Sequence, residues 1–124
     1  MTNASFSGKT ALISGGASGI GLATAQRLIS QGATVWIADI QDTLGQQIAE
    51  EIGANYLHLD VAKEEEWTSA VELIAGQGQG LHLLMNNAGV AIGGTLEIQT
   101  TAEFLQTINI NLLGVFLGCK VCAP

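Results

Sequence analysis

Basic residues and proline are both scarce in this 124-residue sequence. Four lysines and arginines stand against eleven aspartates and glutamates, which gives a formal net charge of −7. That sign argues against a nucleic-acid partner, whose phosphates must be neutralised by basic side chains. One proline beside sixteen glycines, with no Gly-X-Y period and no long polar tract, argues against collagen and disorder. We expect one glycine-punctuated globular domain over residues 1–124.

A long uninterrupted hydrophobic run is also missing. The first ten residues contain no apolar core of a secretory signal. The most apolar stretch, from Phe104 to Cys119, is interrupted by the polar residues Gln106, Asn109 and Asn111. We therefore expect a soluble, cytoplasmic protein without a membrane partner.

Cysteine is limited to Cys119 and Cys122, whose C-x-x-C spacing could belong to a redox dithiol or to half of a zinc site. Both end an apolar helical pattern without a partner motif, so we interpret them as packing residues. The two histidines, His58 and His82, fall on strands expected at opposite edges of a sheet, about 14 Å apart. That separation is too large for a shared metal ion, and no metal site is expected.

Strand and helix periods alternate along the chain. Buried strands are predicted at residues 10–14, 34–38, 55–59 and 81–85, and a last helix is predicted over about Thr101–Cys119. Right-handed crossovers order such strands 3-2-1-4, which is a doubly wound α/β sheet of Rossmann type that stops before a fifth strand. The order reverses between strands 1 and 4. Ligands bind outside the carboxyl ends of the strands at such a point.

The strongest motif is the glycine-rich segment SGGASGIG, residues 14–21, between the first strand and the first helix. A pyrophosphate must approach the backbone closely, which glycine permits, and the next helix offers N–H groups and the positive end of its dipole. We assign Gly15 to the tight turn, Gly19 to the close approach and Gly21 to packing of the helix on the strand. A glycine-rich turn that binds nothing is the alternative.

Asp39 indicates which cofactor is expected. It ends the second strand 18 residues after Gly21, where a carboxylate can accept hydrogen bonds from the hydroxyls of an adenosine ribose. A carboxylate repels a 2′-phosphate, and neither Ser18 nor Ile40 supplies the basic group that a phosphorylated ribose requires. NAD is therefore predicted over NADP, with Ser18, Ile20 and Ile40 as further contact residues. An ordinary turn residue is the alternative for Asp39 taken alone.

Three motifs in this order resemble the short-chain dehydrogenase/reductase family. They are the G-x-x-x-G-x-G spacing of Gly15, Gly19 and Gly21, the run Asn86-Asn87-Ala88-Gly89 after strand 4, and Asn111 within NLLGVF. The similarity covers almost the whole chain. Ser14 stands where the family usually has threonine, and the hydroxyl group is preserved.

The resemblance implies roles for residues that follow strands 3 and 4. Asp60 and Val61 match positions that contact the adenine ring. Asn87, Ala88 and Gly89 match a segment that steadies the central strands and lines the ribose on the nicotinamide side. Turn capping by the asparagine side chain is the alternative for this segment.

Asn111 shares a predicted helical stripe with Phe104, Ile108 and Val115, so we expect its amide to face the packed side and to need partners there. The resemblance implies that the matching asparagine distorts its helix. It further implies that this asparagine holds a water in the proton relay of a catalytic lysine. Hydrogen bonding to a neighbouring backbone carbonyl is the alternative.

The activity that the resemblance implies is NAD-dependent oxidation of a secondary alcohol or reduction of a ketone, with hydroxysteroid- or cyclic-alcohol-dehydrogenase-like chemistry. A 3-oxoacyl-reductase-like enzyme is an alternative. The family's catalytic serine, tyrosine and lysine follow its fifth strand, whereas the residue four after Tyr56 is Asp60. We expect no hydride transfer from residues 1–124 alone. A non-catalytic NAD-binding fragment and an interaction protein remain alternatives, and the apolar last helix, with Leu105, Leu112 and Phe116, predicts a homo-oligomer.

Overall fold

The computed structural model describes residues 5–90 and 95–123, which form a parallel sheet covered by helices on both faces. The strands are β1 (Thr10–Ser14), β2 (Thr34–Asp39), β3 (Asn55–His58) and β4 (Leu83–Met85). They lie in the order β3-β2-β1-β4, and each neighbouring pair is parallel. The predicted α/β class and the order 3-2-1-4 are confirmed.

Three helices connect the strands, and a longer helical segment follows β4. The connecting helices are α1 (Gly19–Ser30), α2 (Asp42–Ile52) and α3 (Glu64–Gly76). The last segment consists of α4 (Thr101–Ile108), a π-helical turn (Asn109–Leu113) and α5 (Gly114–Cys122). Gly93 and Gly94, which precede α4 in the sequence, lie outside the described residues.

Two hydrophobic layers enclose the sheet because successive side chains of a strand point to opposite faces. On one face, Leu12 and Trp36 pack with Trp67 of α3 and Leu117 of α5. On the other face, the buried strand and helix side chains are Ala11, Ile13, Val35, Ile37, Ala25, Leu28 and Ala49. All five residues of β1 are buried, as expected for a central parallel strand.

The outer strands are shorter than the sequence predicts. β4 begins at Leu83 instead of Leu81, because the N–H of Thr10 donates to Nδ1 of the His82 side chain, 3.0 Å away, in place of a backbone acceptor. The N–H of His82 still donates to the Thr10 carbonyl at 2.9 Å. A side chain has therefore replaced one bond of the regular ladder. His82 consequently lies just before β4, and the histidines stay at opposite edges of the sheet.

The helical segment Thr101–Cys122 is long and apolar enough to cross a membrane by length and composition alone. This is weak evidence, since core helices of soluble proteins pass the same test. In the structure, Gly114 and Gly118 bring one face of α5 against Val61 and Trp67. The absence of a membrane partner stays a prediction.

Candidate functional site

The carboxyl ends of the strands meet in a cleft of about 750 Å³, where the strand order reverses between β1 and β4. Small-molecule sites typically measure roughly 300–1,000 Å³. The predicted contact residues that line the cleft are Gly15, Ser18, Gly19, Ile20, Asp39, Ile40, Asp60, Val61, Asn87, Ala88 and Gly89. Gly21 lies behind this surface and is buried. Contact of these residues with a dinucleotide stays a prediction.

The glycine-rich loop has the backbone geometry that its sequence indicates. Gly15 and Gly19 have φ angles of 66° and 57°, in the left-handed region that favours glycine. The N–H groups of Gly15 and Gly16 donate to the Ala38 carbonyl at 2.8 and 3.2 Å, so β2 holds the start of the loop. No neighbouring atom lies within 4 Å of a Cβ built on Gly19, so the space above it is open.

Gly21 has a different role, because it permits close packing below the loop. A Cβ at this position would lie 2.5 Å from Nδ2 of Asn87 and 2.6 Å from the Gly15 carbonyl oxygen. The same amide donates to that oxygen at 3.1 Å. Gly21 therefore leaves the room in which Asn87 ties the loop to the end of β4.

Ser14 and Asn87 join the two central strands at the cleft floor. The Ser14 hydroxyl oxygen accepts hydrogen bonds from the N–H groups of Asn87 and Ala88, each at 3.1 Å. A threonine hydroxyl could accept the same two bonds. Asn87 is therefore bonded to β1 through its backbone N–H and to the glycine-rich loop through its side chain. These bonds support the steadying role implied for this segment.

Asp39 binds three backbone N–H groups. One carboxylate oxygen accepts from Ile40 at 2.8 Å and from Gln41 at 3.2 Å, and the other accepts from Ala17 of the glycine-rich loop at 3.3 Å. The residue is only 9% exposed but lines the cleft. Asp39 therefore organises both the loop and its own turn.

Asp60 and Val61 form the far wall of the cleft. The N–H of Asp60 donates to Oε1 of Glu66 at 2.8 Å, and its own carboxylate accepts from Ala62 at 3.0 Å. The carbonyl of Val61 accepts from the indole N–H of Trp67 at 2.9 Å. Side chains of α3 therefore fix the backbone of this wall from outside.

Asn111 lies within the π-helical turn, so the distortion implied by the resemblance is present. Its predicted face is wrong: Asn111 is exposed, Phe104 of the same stripe is 53% exposed, and Gly114 and Leu117 are buried instead. The amide nevertheless has two partners. It accepts from the Val90 N–H and donates to the Val90 carbonyl, each at 2.7 Å. The backbone bonding given as the alternative is observed, and the water relay stays a prediction.

The first half of the last helix contributes to the cleft, which the sequence interpretation missed. The contributing residues are Ala102, Leu105, Gln106, Asn109 and Ile110. They include polar and apolar types and form no motif, so only their spacing of three or four residues could have identified a common face.

Tyr56 is unsuited to act as the base for hydride transfer. Its hydroxyl lies 2.5 Å from Asp42 Oδ1 and 2.8 Å from the Asp39 carbonyl. Burial first, and then the Asp42 carboxylate, raise the pKa of Tyr56 far above its ordinary value of 10. A tyrosine that acts as a base near neutral pH requires the opposite shift.

The raised pKa of Tyr56 predicts how stability changes at alkaline pH. The folded chain holds the phenolic proton more tightly than the unfolded chain, so this contribution is complete below pH 10 and is lost as pH rises further. The free energy of unfolding should therefore fall more steeply above pH 10 in the parent than in Tyr56→Phe. Urea denaturation from pH 8 to 11 measures both slopes, and lysine titration is common to the two proteins. Equal slopes would contradict the shift.

Metal and thiol chemistry receive no support from the described residues. Across residues 5–90 and 95–123, no group of three histidine, cysteine, aspartate or glutamate side chains is close enough to hold a metal ion. Cys119 and Cys122 are free thiols. Burial raises the pKa of the Cys122 thiol, which disfavours the reactive thiolate.

Comparison with known proteins gives the same family over nearly the whole chain. A family model described as short chain dehydrogenase matches residues 9–124. The 3-alpha-(or 20-beta)-hydroxysteroid dehydrogenase of Mycobacterium tuberculosis is 42% identical over 115 residues, which cover 91% of this chain and 44% of that protein. The 3-beta-hydroxysteroid dehydrogenase of Comamonas testosteroni is 38% identical over 122 residues, covering 97% and 48%.

A plant relative extends this set. The mitochondrial borneol dehydrogenase of Lavandula x intermedia is 41% identical over 118 residues, covering 94% of this chain and 46% of that protein. The chain thus spans less than half the length of these curated relatives. The family match and the cleft geometry agree, and the chain belongs to the short-chain dehydrogenase family, whose members typically use NAD or NADP.

Proposed function

We propose that the cleft binds NAD and that the protein is an oxidoreductase of secondary alcohols or ketones. The observation that carries the proposal is the junction between the glycine-rich loop and Asp39. The Asp39 carboxylate accepts the Ala17 N–H of that loop and borders the same cleft. This hydrogen bond therefore fixes the glycine-rich loop, which is suited to a pyrophosphate, relative to Asp39, which is suited to a ribose.

The residues present fit a dinucleotide. Gly19 has open space where a Cβ would stand, and α1 begins at this residue with backbone N–H groups that its own first turn does not use. Asp60 and Val61 provide an opposite wall. When bound, NAD supplies the hydride acceptor. This chain's residues would bind and orient it, and the buried backbone network would keep the loop in place.

NAD is favoured over NADP on electrostatic grounds. Asp39 carries a negative charge at the end of β2, and the neighbouring residues Ile40 and Gln41 carry none that would offset it. A 2′-phosphate at the adenosine ribose would meet this carboxylate in a partly enclosed cleft, where like charges repel strongly. The ribose hydroxyls of NAD would instead donate hydrogen bonds to it.

Hydroxysteroids and cyclic alcohols are the substrate classes that we propose. Their support comes from the relatives, which include two hydroxysteroid dehydrogenases and a borneol dehydrogenase. A second candidate is nucleotide binding without catalysis. It is favoured by one observation within residues 1–124: the hydroxyl of Tyr56 is bonded to Asp42 and to the Asp39 carbonyl and has a raised pKa, so this residue does not supply the base. Formation of NADH from a secondary alcohol distinguishes the two.

We also propose a cytoplasmic homo-oligomer that associates through the last helix. Its outer face exposes large apolar side chains: Phe104 is 53% exposed, Leu112 63% and Phe116 59%. Apolar side chains that are exposed this close together are typical of protein interfaces. This surface is separate from the Gly114 face that packs against Val61.

Substitution of Asp39 tests the cofactor assignment. The parent should bind NADH at least about tenfold more tightly than NADPH, a difference near 1.4 kcal/mol. Asp39→Asn removes the charge and keeps one oxygen acceptor for Ile40 and Gln41, whereas its NH2 group cannot accept from Ala17, so the preference should shrink with a partial loss of loop order. Asp39→Ala also removes the acceptor of three N–H groups and should weaken both cofactors. Fluorescence titration with NADH and NADPH measures the affinities.

A matched control removes the same charge elsewhere. Glu64 pairs with Lys120 at 2.7 Å outside the cleft, so Glu64→Gln should leave the cofactor preference unchanged. Tighter binding of NADPH than NADH by the parent would contradict the proposal. An equal change of preference in Glu64→Gln and Asp39→Asn would attribute it to net charge alone.

A further inference from the structure

A chain of side-chain contacts runs outside the cleft from the end of β2 to the end of β3. Tyr56 of β3 reaches both the Asp39 carbonyl and the Asp42 carboxylate at the start of α2. Nδ1 of His58 lies 2.8 Å from the same Asp42 oxygen. These contacts connect the turn after β2 with the edge strand β3.

The second half of the chain starts at the other ring nitrogen of His58. Nε2 lies 3.5 Å from Oε1 of Glu66, the oxygen that accepts the Asp60 N–H at 2.8 Å. Asp39 and Asp60 both line the cleft, at the ends of β2 and β3. His58 therefore lies midway in a path that joins the backbone carbonyl of Asp39 to the backbone N–H of Asp60, on the proposed adenosine side.

The two nitrogens of His58 face two carboxylates, one on α2 and one on α3. A neutral imidazole has one N–H donor, whereas an imidazolium has two. Only the imidazolium can donate to Asp42 and Glu66 together. Lys63 lies 3.8 Å from Glu66 and competes with His58 for that carboxylate.

We propose that His58 is a positioning residue that sets the spacing of Asp39 and Asp60, and that nucleotide binding at this edge is tightened when His58 is protonated. The second half of this inference rests on the proposed binding of NAD. Protonation adds a donor toward Glu66 and attraction to both carboxylates. The walls of the adenosine side are then already held together before the nucleotide binds. The entropic cost of ordering them on binding is therefore smaller.

The effect of His58 protonation on nucleotide affinity should be small, because the side chains involved are half exposed. The side chains of His58 and Asp42 are 48% and 52% exposed, so solvent weakens the pairing. We expect affinity for NADH to be about two- to fivefold higher at pH 5.5 than at pH 8. Affinity falls as pH rises because one donor is lost.

The first arm of the experiment needs no nucleotide. The backbone amide resonance of Asp60 and the imidazole resonances of both histidines are followed by NMR from pH 5.5 to 8. We expect the Asp60 amide to titrate together with His58, and this coupling to vanish in His58→Asn and in Glu66→Gln. An Asp60 amide that shows no inflection with His58 would overturn the positioning role.

The second arm measures NADH affinity at both pH values in the parent, His58→Asn and His82→Asn. His82 is the only other histidine and lies at the opposite edge of the sheet. The pH dependence should disappear in His58→Asn and persist in His82→Asn. Equal dependence in all three proteins would overturn the link to binding. Absence of NADH binding at either pH would overturn the proposed function, and the NMR arm would still decide the role of His58.

Discussion

Gly21→Ala should destabilise the folded chain by about 1–3 kcal/mol, the range found when a methyl group is forced into a packed site. The added Cβ would lie 2.5 Å from Asn87 Nδ2 and 2.6 Å from the Gly15 carbonyl oxygen. Neither atom can retreat freely, because they are hydrogen-bonded to each other. Equilibrium urea denaturation gives the change in the free energy of unfolding, and NADH affinity should fall with it.

Gly76→Ala is the control for this substitution. Gly76 ends α3, and a Cβ there has no neighbour within 4 Å. Alanine favours helix over glycine by up to about 1 kcal/mol, so this variant should be as stable as the parent or more so. Wild-type stability in Gly21→Ala would show that Asn87 and the loop can move apart, contrary to the close packing described above.

Trp67→Ala should have the larger effect, about 3–5 kcal/mol, because it empties a fully buried aromatic site. The indole ring fills the space beside Gly118 of α5, and its N–H is the donor to the Val61 carbonyl. Its loss leaves a cavity between α3 and α5 and an unpaired carbonyl behind the cleft wall. With a total stability of only about 5–15 kcal/mol expected for a domain, the variant should be largely unfolded in low urea.

Leu73→Ala provides the comparison on the same helix. Leu73 is 45% exposed, so its truncation should cost less than about 1 kcal/mol. Trp36 remains as a fluorescent probe in both variants. Trp67→Phe removes the N–H donor with a smaller loss of volume than alanine, so its stability should lie between those of the parent and Trp67→Ala. A small effect of Trp67→Ala would mean that α3 and α5 close the cavity by moving together.

The sheet and the glycine-rich loop could be predicted because their signals are local and strong. β1 has the predicted bounds, since a short apolar run directly before clustered glycines permits few other structures. The strand order followed from the handedness of parallel crossovers, which does not depend on particular residues. The start of β4 could not be predicted, because the His82 side chain accepts the Thr10 N–H bond that a backbone carbonyl would accept in a regular ladder.

The packed face of the last helix was predicted wrongly because that helix is apolar on several sides. Leu105, Leu112 and Phe116 are exposed, so hydrophobic periodicity could not identify the packed face. The informative signal was the pair Gly114 and Gly118, four residues apart, which marks the side that approaches Val61 and Trp67. When large apolar residues occur on every face of a helix, the face with small residues is the one that packs closely.

The contacts of Asp39 and His58 could not be predicted for a different reason. The sequence indicated a carboxylate at the end of β2, but not that it would accept N–H groups from two separate turns. Likewise, nothing in the sequence indicated that His58 would lie between two carboxylates. Its partners Asp42 and Glu66 are on two different helices, and only the folded chain brings them together.

The π-helical turn at Asn109–Leu113 makes the length of the last helix as important as its composition. Such a turn accommodates one residue more than an α-helical turn, and each α-helical residue advances the chain by about 100°. The orientation of α4 is therefore set by the cleft, and that of α5 by its glycine face, with the surplus residue taking up the difference. A change that made this turn regular α-helix without removing a residue would leave an unbroken helix, yet it would rotate one half against the other by about 100°. The cleft would lose its α4 wall although no residue of that wall had changed.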